Sequence, residues 1–165
     1  MNALIWITGI PCTGKSTLAE ALTADLTADL DATILDDKRM RHEFWPHLGQ
    51  ADTDWACDTL ALGMFASVIL GLGRDVIVAS VSPIRDMRQK VRETVTFAGH
   101  RWLEVAVRCE MDEIKRRDRS GLYATLPNFF WGAPNKEDGA LELDSTTLAP
   151  IFMAALIRKE MRCES

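Results

Sequence analysis

The chain has 165 residues, of which 47% are hydrophobic and 26% charged, with a formal net charge of −5, a balance typical of one globular domain over residues 1–165. The acidic excess excludes a partner held mainly through a nucleic-acid backbone, and no apolar run has the length expected of a membrane span. None of the four cysteines forms a C-x-x-C pair, so neither a zinc site nor a disulfide framework is indicated and a reducing cytoplasm is expected.

The first part of the chain alternates short apolar runs with helical patterns. The run ALIWIT over residues 3–8 predicts a strand, and the stretch GIPCTGKST follows it. A helix with one apolar stripe is then predicted from leucines at every fourth position, namely Leu18, Leu22, Leu26 and Leu30. A second strand is predicted over residues 32–36, and residues 54–72 predict a helix that is apolar on most sides and therefore buried.

The same alternation continues to the end of the chain. The β-branched run over residues 75–82 predicts a central parallel strand, and the next helix is predicted to begin at Pro83 and end at Gly99. Two further strands, a short charged helix and a closing helix are predicted over residues 101–109, 139–144, 111–121 and 148–161. Strands alternating with helices predict an α/β fold with a parallel sheet of about five strands and helices on both faces.

The stretch GIPCTGKST fits the phosphate-binding pattern G-x-x-x-x-G-K-[ST] without a gap. In that pattern backbone N–H groups hold phosphate, the lysine reaches the β- and γ-phosphates, and the next hydroxyl ligates Mg²⁺. Because a strand precedes the stretch and a helix follows it, we expect a P-loop NTPase fold that binds ATP and Mg²⁺. The predicted nucleotide contacts are Gly9, Cys12, Thr13, Gly14, Lys15, Ser16 and Thr17.

An acidic candidate follows the second predicted strand, whereas the third strand ends without one. A carboxylate at the C-terminal end of a parallel strand points into the ligand crevice. There Asp36, with Asp37 beside it, could orient Mg²⁺ and accept the proton of an acceptor hydroxyl. The alternative is that Asp36 caps the helix predicted for DDKRMRHEF.

Two arginine-rich segments add candidate chemistry. The segment KRRDRSGLY, over residues 115–123, suits a lid over about residues 112–139 that excludes water during phosphoryl transfer. The alternative is a solvated charged helix. In SPIRDMRQKVRE, Arg85 lies nearest the strand end and is predicted to meet an anion, while Arg88 and Arg92 are predicted to face solvent.

Five segments of the chain together resemble the adenylylsulfate (APS) kinases, which use MgATP to phosphorylate the ribose 3′-hydroxyl of adenosine 5′-phosphosulfate. IWITGIPCTGKSTLAEAL resembles their first strand and phosphate loop, and LDDKRMRHEF is similar to their L-D-G-D-N-[VI]-R-x-G-L segment. VSPIRDMRQKVRE resembles I-S-P-Y-R-x-x-R-x-x-V-R-E, RDRSGLYA the lid segment R-D-P-K-G-L-Y, and LELDSTT the strand end L-x-[LI]-D-T. The matches keep their order over residues 4–147.

The resemblance implies roles for individual residues. Asp36 matches an acidic residue that positions metal and acceptor, and Arg117 with Asp118 matches the lid. The implied acceptor site comprises Asp36 and the matching residues Arg41, Ser82, Pro83 and Ile84, to which Arg85 is added. The predicted catalytic residues are Lys15, Asp36 and Arg117, with Arg117 also on the donor nucleotide. The predicted metal ligands are Ser16 and Asp36.

Departures from the family pattern fall mostly on the acceptor side. The family's second acidic residue and its asparagine are Lys38 and Arg39 here. An R-x-x-N pair at the acceptor nucleotide is replaced by Trp55 and Asp58, which we include in the predicted acceptor site. Buried polar contacts discriminate strongly between ligands, so these changes bear on which acceptor is used. One aromatic residue among 129–131 is expected to stack on the acceptor base.

Three functions compete at this point. The first is a kinase that transfers the γ-phosphoryl of ATP to the 3′-hydroxyl of APS or a related nucleotide. The second keeps the kinase but changes the acceptor, to a nucleotide such as cytidine diphosphoramidate or to a small alcohol. The third is a nucleotide-binding module without catalysis, which Lys38 suggests. The expected partner is a small nucleotide, with no nucleic-acid polymer and no membrane, and the chain could form a homodimer.

A side hypothesis concerns the thiol inside the phosphate loop. Cys12 lies near a helix N-terminus, which can lower the pKa of a thiol, so that its oxidation would block ATP. The alternative is that Cys12 is a small residue that fits the loop.

Overall fold

The fold is built on a five-stranded parallel sheet. The structure, a computed structural model, describes residues 2–24, 32–125, 129–134 and 136–163. The strands are β1 Ala3–Thr8, β2 Ala32–Asp36, β3 Asp75–Ser80, β4 Arg101–Arg108 and β5 Leu141–Asp144. They lie side by side in the order β2-β3-β1-β4-β5, and every neighbouring pair is parallel. The predicted α/β architecture is confirmed.

Helices connect the strands. Within the described ranges they are α1 Lys15–Thr23, α2 Asp37–Phe44, α3 Asp52–Gly71, α4 Arg85–Phe97, α5 Met111–Arg117, α6 Leu122–Thr125 and α7 Pro150–Cys163. A short 3₁₀ turn, Lys136–Asp138, precedes β5. Because β1 lies at the centre of the sheet, the loop between β1 and α1 opens at the middle of the C-terminal edge, where α/β proteins bind ligands.

Side chains on the two faces of β1 contribute to two separate hydrophobic cores, because successive strand residues point to opposite sides. Ile5 and Ile7 pack with α1 and α7 on one face. Leu4 and Trp6 pack with α3 and α4 on the other, where the Trp6 ring stacks 5.6 Å from that of Trp102. Of the predicted leucine stripe, Leu18 and Leu22 are buried as expected, and Leu26 and Leu30 lie outside the described residues.

The prediction that the long apolar helix is buried was wrong for one of its faces. Leu62 and Ala66 of α3 are buried against the sheet, whereas Met64 and Val68 are 63% and 59% exposed. The reason is geometric, since an apolar residue on every side of a helix cannot meet a sheet that covers one side. By length and composition alone α3 could also cross a membrane, contrary to the sequence expectation, but its packed face is that of a core helix.

Two helix boundaries differ from their predictions. Helix α4 begins at Arg85, because the chain stays irregular through Ser82, whose φ is +38, and Ile84 is still extended. Helix α5 ends at Arg117 rather than at Gly121, because the Asp118 carboxylate bonds to the N–H groups of the turn that follows. Both corrections lengthen the segments that border the ligand edge of the sheet.

Candidate active site

The loop between β1 and α1 has the shape of a phosphate cradle. A Cβ on Gly9 would lie 2.6 Å from the Val107 carbonyl oxygen, so only glycine fits there. Gly14 has a φ of +93, in the left-handed region that favours glycine, and it leads directly into α1. The Thr13 hydroxyl donates to the Ile10 carbonyl at 3.0 Å and closes the loop on itself. The first N–H groups of α1 lack helical acceptors and suit an anion.

Lys15 is buried at the floor of this loop beside an acidic partner. Its Nζ donates to the Ile10 carbonyl at 3.0 Å. Burial lowers the pKa of Lys15, and the carboxylates of Asp37 and Asp36 oppose that effect. Asp37 is buried too and accepts the Val81 N–H at 2.7 Å. Burial raises the pKa of Asp37, while the Lys15 ammonium opposes the rise. Lys15 and Asp37 are therefore two buried ionisable groups behind the loop, and each opposes the effect of burial on the pKa of the other.

The Ser16 hydroxyl faces the carboxylate that ends β2. Ser16 donates to Asp36 Oδ2 at 2.5 Å, and Asp36 Oδ1 accepts the Arg39 N–H at 3.2 Å. The second contact is an N-cap of α2, so Asp36 combines the two interpretations that the sequence left open. A hydroxyl and a carboxylate thus meet at the mouth of the phosphate loop.

Arg117 stands between two clefts above the loop. Its guanidinium donates to Glu113 at 2.7 Å, to the Ser145 hydroxyl at 3.1 Å and to the Ser145 carbonyl at 2.8 Å. On one side lies a cleft of about 530 Å³, lined by the phosphate loop, Asp37, Lys38, Arg41 and Trp55 among others. On the other side lies a cleft of about 400 Å³, lined by Gly14, Thr17 and residues 145–150 among others. Arg117 borders both clefts, and a ligand in either would lie beside a fixed positive charge.

The segment after α5 is tied to the phosphate loop. The Asp118 carboxylate accepts the N–H of Ser120 at 3.1 Å and that of Tyr123 at 2.9 Å. The buried Tyr123 hydroxyl donates to the Pro11 carbonyl at 2.9 Å. Of the predicted lid over residues 112–139, residues 126–128 and 135 lie outside the described residues. The described part contacts the loop through the hydrogen bond from Tyr123 to Pro11.

The predicted acceptor residues Arg41, Trp55 and Asp58 form one cluster. The Arg41 guanidinium lies 4.6 Å from the centre of the Trp55 ring and donates to Asp58 Oδ2 at 3.4 Å. Arg41 also donates to the carbonyls of Leu48 and Gly49. Asp58 is 1% exposed, and burial raises its pKa to about 6. Its Oδ1 accepts no hydrogen bond from the described residues. Arg41 is therefore directed toward protein groups as well as bordering the cleft.

The short segment over residues 129–134 reaches the same region. Phe129 meets the Trp55 ring edge-to-face, with ring centres 5.9 Å apart. The Trp131 indole N–H donates to the Thr8 hydroxyl at 3.0 Å at the end of β1. Phe129 is thus the residue of the predicted aromatic trio that borders the acceptor residues.

The arginine row on α4 differs most from its prediction. Arg88, expected to face solvent, is 1% exposed and donates to Glu104 at 2.6 Å. The exposed Arg85 pairs with Asp138, and Arg92 donates to the Asp138 carbonyl at 2.9 Å. Arg85 is not among the residues that line the two clefts beside Arg117, so its placement does not support the predicted anion contact. The spacing of residues along a helix does not show whether carbonyl and carboxylate groups of other elements will bind its arginines.

The segment from Ser82 to Ile84 follows Val81 at the end of β3, and none of its residues lines the two clefts beside Arg117, so its acceptor role stays a prediction. Ser82 is buried, and its hydroxyl donates to that of Ser80 at 2.7 Å. Pro83 is buried and Ile84 half-buried. Val81, just before them, lines the larger cleft.

The redox hypothesis for Cys12 is not supported by its surroundings. Burial, followed by the nearby Asp118 carboxylate, raises the pKa of the Cys12 thiol. A raised pKa leaves less thiolate, which is the reactive form. Cys12 has a φ of +67 in the tight turn of the loop. We therefore retain the alternative, in which Cys12 is a small residue that fits the loop.

Comparison with known proteins places the chain in a family. The family model described as adenylylsulphate kinase matches residues 1–128. The chain belongs to the adenylylsulphate kinase family. An adenylyl-sulfate kinase of Bacillus velezensis is 34% identical over 149 residues, covering 86% of this chain and 75% of that protein. The adenylyl-sulfate kinase of Bacillus pumilus is 35% identical over the same length and coverage.

Solved structures agree on the fold of this APS kinase family member. The Mycobacterium tuberculosis APS kinase CysC, in complex with AMPPNP and APS, superposes with a TM-score of 0.85 at 24% identity, covering 98% of both chains. A sugar kinase from Janibacter sp. HTCC2649 superposes with a TM-score of 0.69 at 16% identity. Since an APS kinase and a sugar kinase both share this fold, the fold alone does not identify the acceptor.

Sequence reasoning missed three features of this APS kinase fold. Asp37 was mentioned only as a neighbour of Asp36, although a second aspartate at the strand end was its signal. The buried pair of Arg88 and Glu104 had no local signal, because its members come from different elements. The cleft lined by residues 145–150 was not predicted, although residues 145–147 end the family-like segment LELDSTT.

Proposed function

We propose that the protein is a kinase that transfers the γ-phosphoryl of ATP to the 3′-hydroxyl of adenosine 5′-phosphosulfate or a closely related nucleotide. The observation that carries the proposal is the contact of Ser16 with Asp36 at 2.5 Å, at the mouth of a phosphate cradle with clefts on both sides of Arg117. Membership of the adenylylsulphate kinase family supports it. Two clefts that share one charged residue suit a donor and an acceptor that meet.

The donor nucleotide is assigned to the phosphate loop and the smaller cleft. The backbone between Gly9 and Gly14 would hold its phosphates, with contributions from Cys12, Thr13 and Thr17. The cleft lined by residues 145–150 would take its nucleoside, because it opens directly beside Gly14 and Thr17. Lys15 and Arg117 would neutralise charge on the phosphoryl group.

Ser16 and Asp36 fit a magnesium site. A hydroxyl and a carboxylate are the oxygen ligands that Mg²⁺ prefers, and Mg²⁺ is commonly held by one or two protein groups plus phosphate and water. No larger group of His, Cys, Asp and Glu with metal-site geometry occurs in the part of the chain that the structure describes. When bound, Mg²⁺ would neutralise charge on the phosphates of the donor.

The acceptor would lie in the larger cleft, with its hydroxyl near Asp36. Asp36 would orient that hydroxyl and accept its proton as the bond to phosphorus forms. Val81 and the predicted residues Ser82, Pro83 and Ile84 would border the sugar, and Trp55 with Phe129 the base. The tie between Tyr123 and Pro11 would close the proposed lid over about residues 112–139 and exclude water, which would otherwise hydrolyse ATP.

The test is transfer from labelled ATP to a panel of nucleotide acceptors. We expect saturable labelling of APS in the wild type and a loss of at least about 100-fold in the Lys15→Ala and Asp36→Asn variants. Circular dichroism spectra matching the wild type show that both variants fold. Full activity of Asp36→Asn would remove that residue from the mechanism. A wild type that labels no acceptor would favour the non-catalytic module.

A second candidate keeps the chemistry and changes the acceptor. It is favoured by the cluster in which Arg41 donates to Asp58 and to loop carbonyls and lies over Trp55. An arginine held by these groups has less capacity left for a phosphosulfate. The same panel, with cytidine diphosphoramidate and simple sugars added, separates the candidates, because turnover of APS at a higher kcat/KM than the others excludes this one.

We also propose a cellular location and an oligomeric state, the cytoplasm and a homodimer. We place the enzyme in the cytoplasm, where ATP is available, and assign it no nucleic-acid polymer or membrane as a partner. Among solved structures of similar fold is a hexameric APS kinase from Thiobacillus denitrificans, matched with a TM-score of 0.71 at 25% identity. Light scattering of the purified protein tests the proposed homodimer, and a monomeric mass would exclude it.

A further inference from the structure

The segment over residues 129–134, termed here the docked segment, is attached to the acceptor edge at three points. The Gly132 N–H donates to the Pro83 carbonyl at 2.9 Å. The Trp131 indole N–H donates to the Thr8 hydroxyl at 3.0 Å. The third attachment is Arg88, whose Nη2 donates to the Gly132 carbonyl at 2.7 Å. The first attachment ends at Pro83, two residues after Val81, which lines the larger cleft.

Arg88 joins three parts of the molecule. Besides Gly132 it donates to the Ser82 carbonyl at 2.6 Å and to Glu104 of β4 at 2.6 Å. Its side chain is 1% exposed and that of Glu104 10% exposed, so the pair is shielded from solvent. Desolvated charged groups are retained only when they are paired and hydrogen-bonded, and Arg88 meets that condition through Glu104 and two carbonyls. Arg85 and Arg92, on the same helix, contact Asp138 further along the same connection.

We propose that Arg88 is a positioning residue that sets the affinity for the acceptor by fixing the docked segment against the segment Ser82–Ile84. The arginine row on α4 is then an attachment for another part of the chain rather than an anion site. The inference rests on the proposed function, because it takes the larger cleft as the acceptor site.

The effect reaches the acceptor through one aromatic contact. Phe129 begins the docked segment and meets Trp55, which lines the larger cleft, at 5.9 Å between ring centres. When the Gly132 carbonyl loses its partner, Phe129 loses its fixed place beside Trp55. Neither cleft is lined by Arg88 or by the docked segment, but Phe129 contacts a lining residue of the larger cleft, so acceptor binding should change more than donor binding. The inference therefore predicts a selective effect on one substrate.

The main experiment compares Arg88→Lys with the matched control Lys90→Met, an exposed residue of the same helix. Lysine keeps the positive charge for Glu104 but cannot reach three acceptors in the planar geometry of a guanidinium. We expect KM for APS to rise about tenfold in Arg88→Lys, with KM for ATP and the acceptor-independent hydrolysis of ATP within twofold of wild type. Lys90→Met should change none of these values.

A second variant avoids the buried pair, in case Arg88→Lys folds poorly. Trp131→Phe removes the hydrogen bond to Thr8 and keeps an aromatic ring near Arg108, and it should raise KM for APS in the same selective way by a smaller factor. Hydrogen exchange of the Gly132 amide reports docking without reference to activity, and we expect faster exchange in both variants. A parallel rise of KM for both substrates would indicate a merely structural role and overturn the inference. A KM for APS within twofold of wild type in both variants would overturn it as well.

These outcomes are distinct from failure of the proposed function. A wild type that transfers no phosphoryl group to APS contradicts the proposed function. Unchanged Gly132 exchange in Arg88→Lys contradicts the docking role of Arg88, whichever acceptor the enzyme uses.

Discussion

Ser16 Oγ lies 2.5 Å from Asp36 Oδ2, while the other oxygen of Asp36 caps α2 through the Arg39 N–H. One carboxylate thereby joins the phosphate loop after β1 to the helix after β2. Its two oxygens have different partners, since Oδ2 accepts the Ser16 hydroxyl and Oδ1 caps a helix. A single substitution can therefore separate the two roles.

Asp36→Asn should abolish transfer and leave stability nearly unchanged. Asparagine caps helices as well as aspartate does, but a neutral amide is a poor ligand for Mg²⁺ and a poor proton acceptor. Asp36→Ala should lose transfer and also about 1 kcal/mol of the free energy of unfolding, because the cap is gone. Urea unfolding of both variants measures this. Equal stabilities for the asparagine and alanine variants would contradict the cap.

The contribution of Asp58 to the free energy of unfolding should fall as the pH rises from about 3.8 to about 6. Burial raises its folded pKa to about 6 from an ordinary value of 3.8, so the folded state holds the proton more tightly than the unfolded state. The contribution of Asp58 is thus fully present below pH 3.8 and lost above pH 6, and it amounts to roughly 2–3 kcal/mol.

Asp58→Asn isolates that contribution. The free energy of unfolding of the variant, relative to wild type, should increase by roughly 2 kcal/mol between pH 4.5 and pH 8. A flat difference for Asp58→Asn would show that the carboxyl titrates normally in the folded state.

Gly9→Ala should destabilise the fold. The added Cβ would lie 2.6 Å from a backbone carbonyl oxygen of Val107 and 2.8 Å from Thr13 Oγ1, and the backbone of a central strand cannot move away easily. Overpacking of this kind costs roughly 1–3 kcal/mol, which lowers Tm by roughly 3–10 °C. Gly71→Ala is the control, because no atom lies within 4 Å of its Cβ position. Calorimetry showing equal Tm values for both variants would contradict the packing argument.

Tyr123→Phe should increase the wasteful hydrolysis of ATP. The change removes the hydrogen bond to the Pro11 carbonyl, worth about 1 kcal/mol, and so loosens the proposed lid over the phosphate loop. We expect phosphate release in the absence of acceptor to rise about fivefold. Thr125→Ala is the control, since its hydroxyl donates only within its own turn, to the Leu122 carbonyl. Unchanged phosphate release in Tyr123→Phe would show that the hydrogen bond from Tyr123 to Pro11 does not help to exclude water.

The sequence was sufficient for the fold because its signals are local. The apolar run Ala3–Thr8, the glycine pattern and the leucines of α1 each report on their own element, and strand–helix alternation then restricts the sheet to a parallel arrangement. The burial of α3 was misjudged for the same reason. Its composition is apolar all round, and only the tertiary arrangement determines which side meets the sheet.

The site was predictable where a motif fixes backbone shape, as at Lys15 and Ser16. It was not predictable where side chains from distant elements meet. The residue type of Arg88 and its spacing from Arg85 and Arg92 predict an exposed position. Its burial depends instead on Glu104 and on the carbonyl of Gly132, which lies 44 residues further along the chain. No local pattern carries that information.

Arg117 lines both clefts above the phosphate loop, while most of the other lining residues belong to only one of them. In the proposed enzyme the two nucleotides would therefore occupy largely different groups of residues. Initial-rate measurements should then give intersecting lines for ATP and acceptor, and each product should inhibit competitively against the substrate whose cleft it occupies. The partition at Arg117 thus leads to random-order kinetics, with no obligatory first substrate.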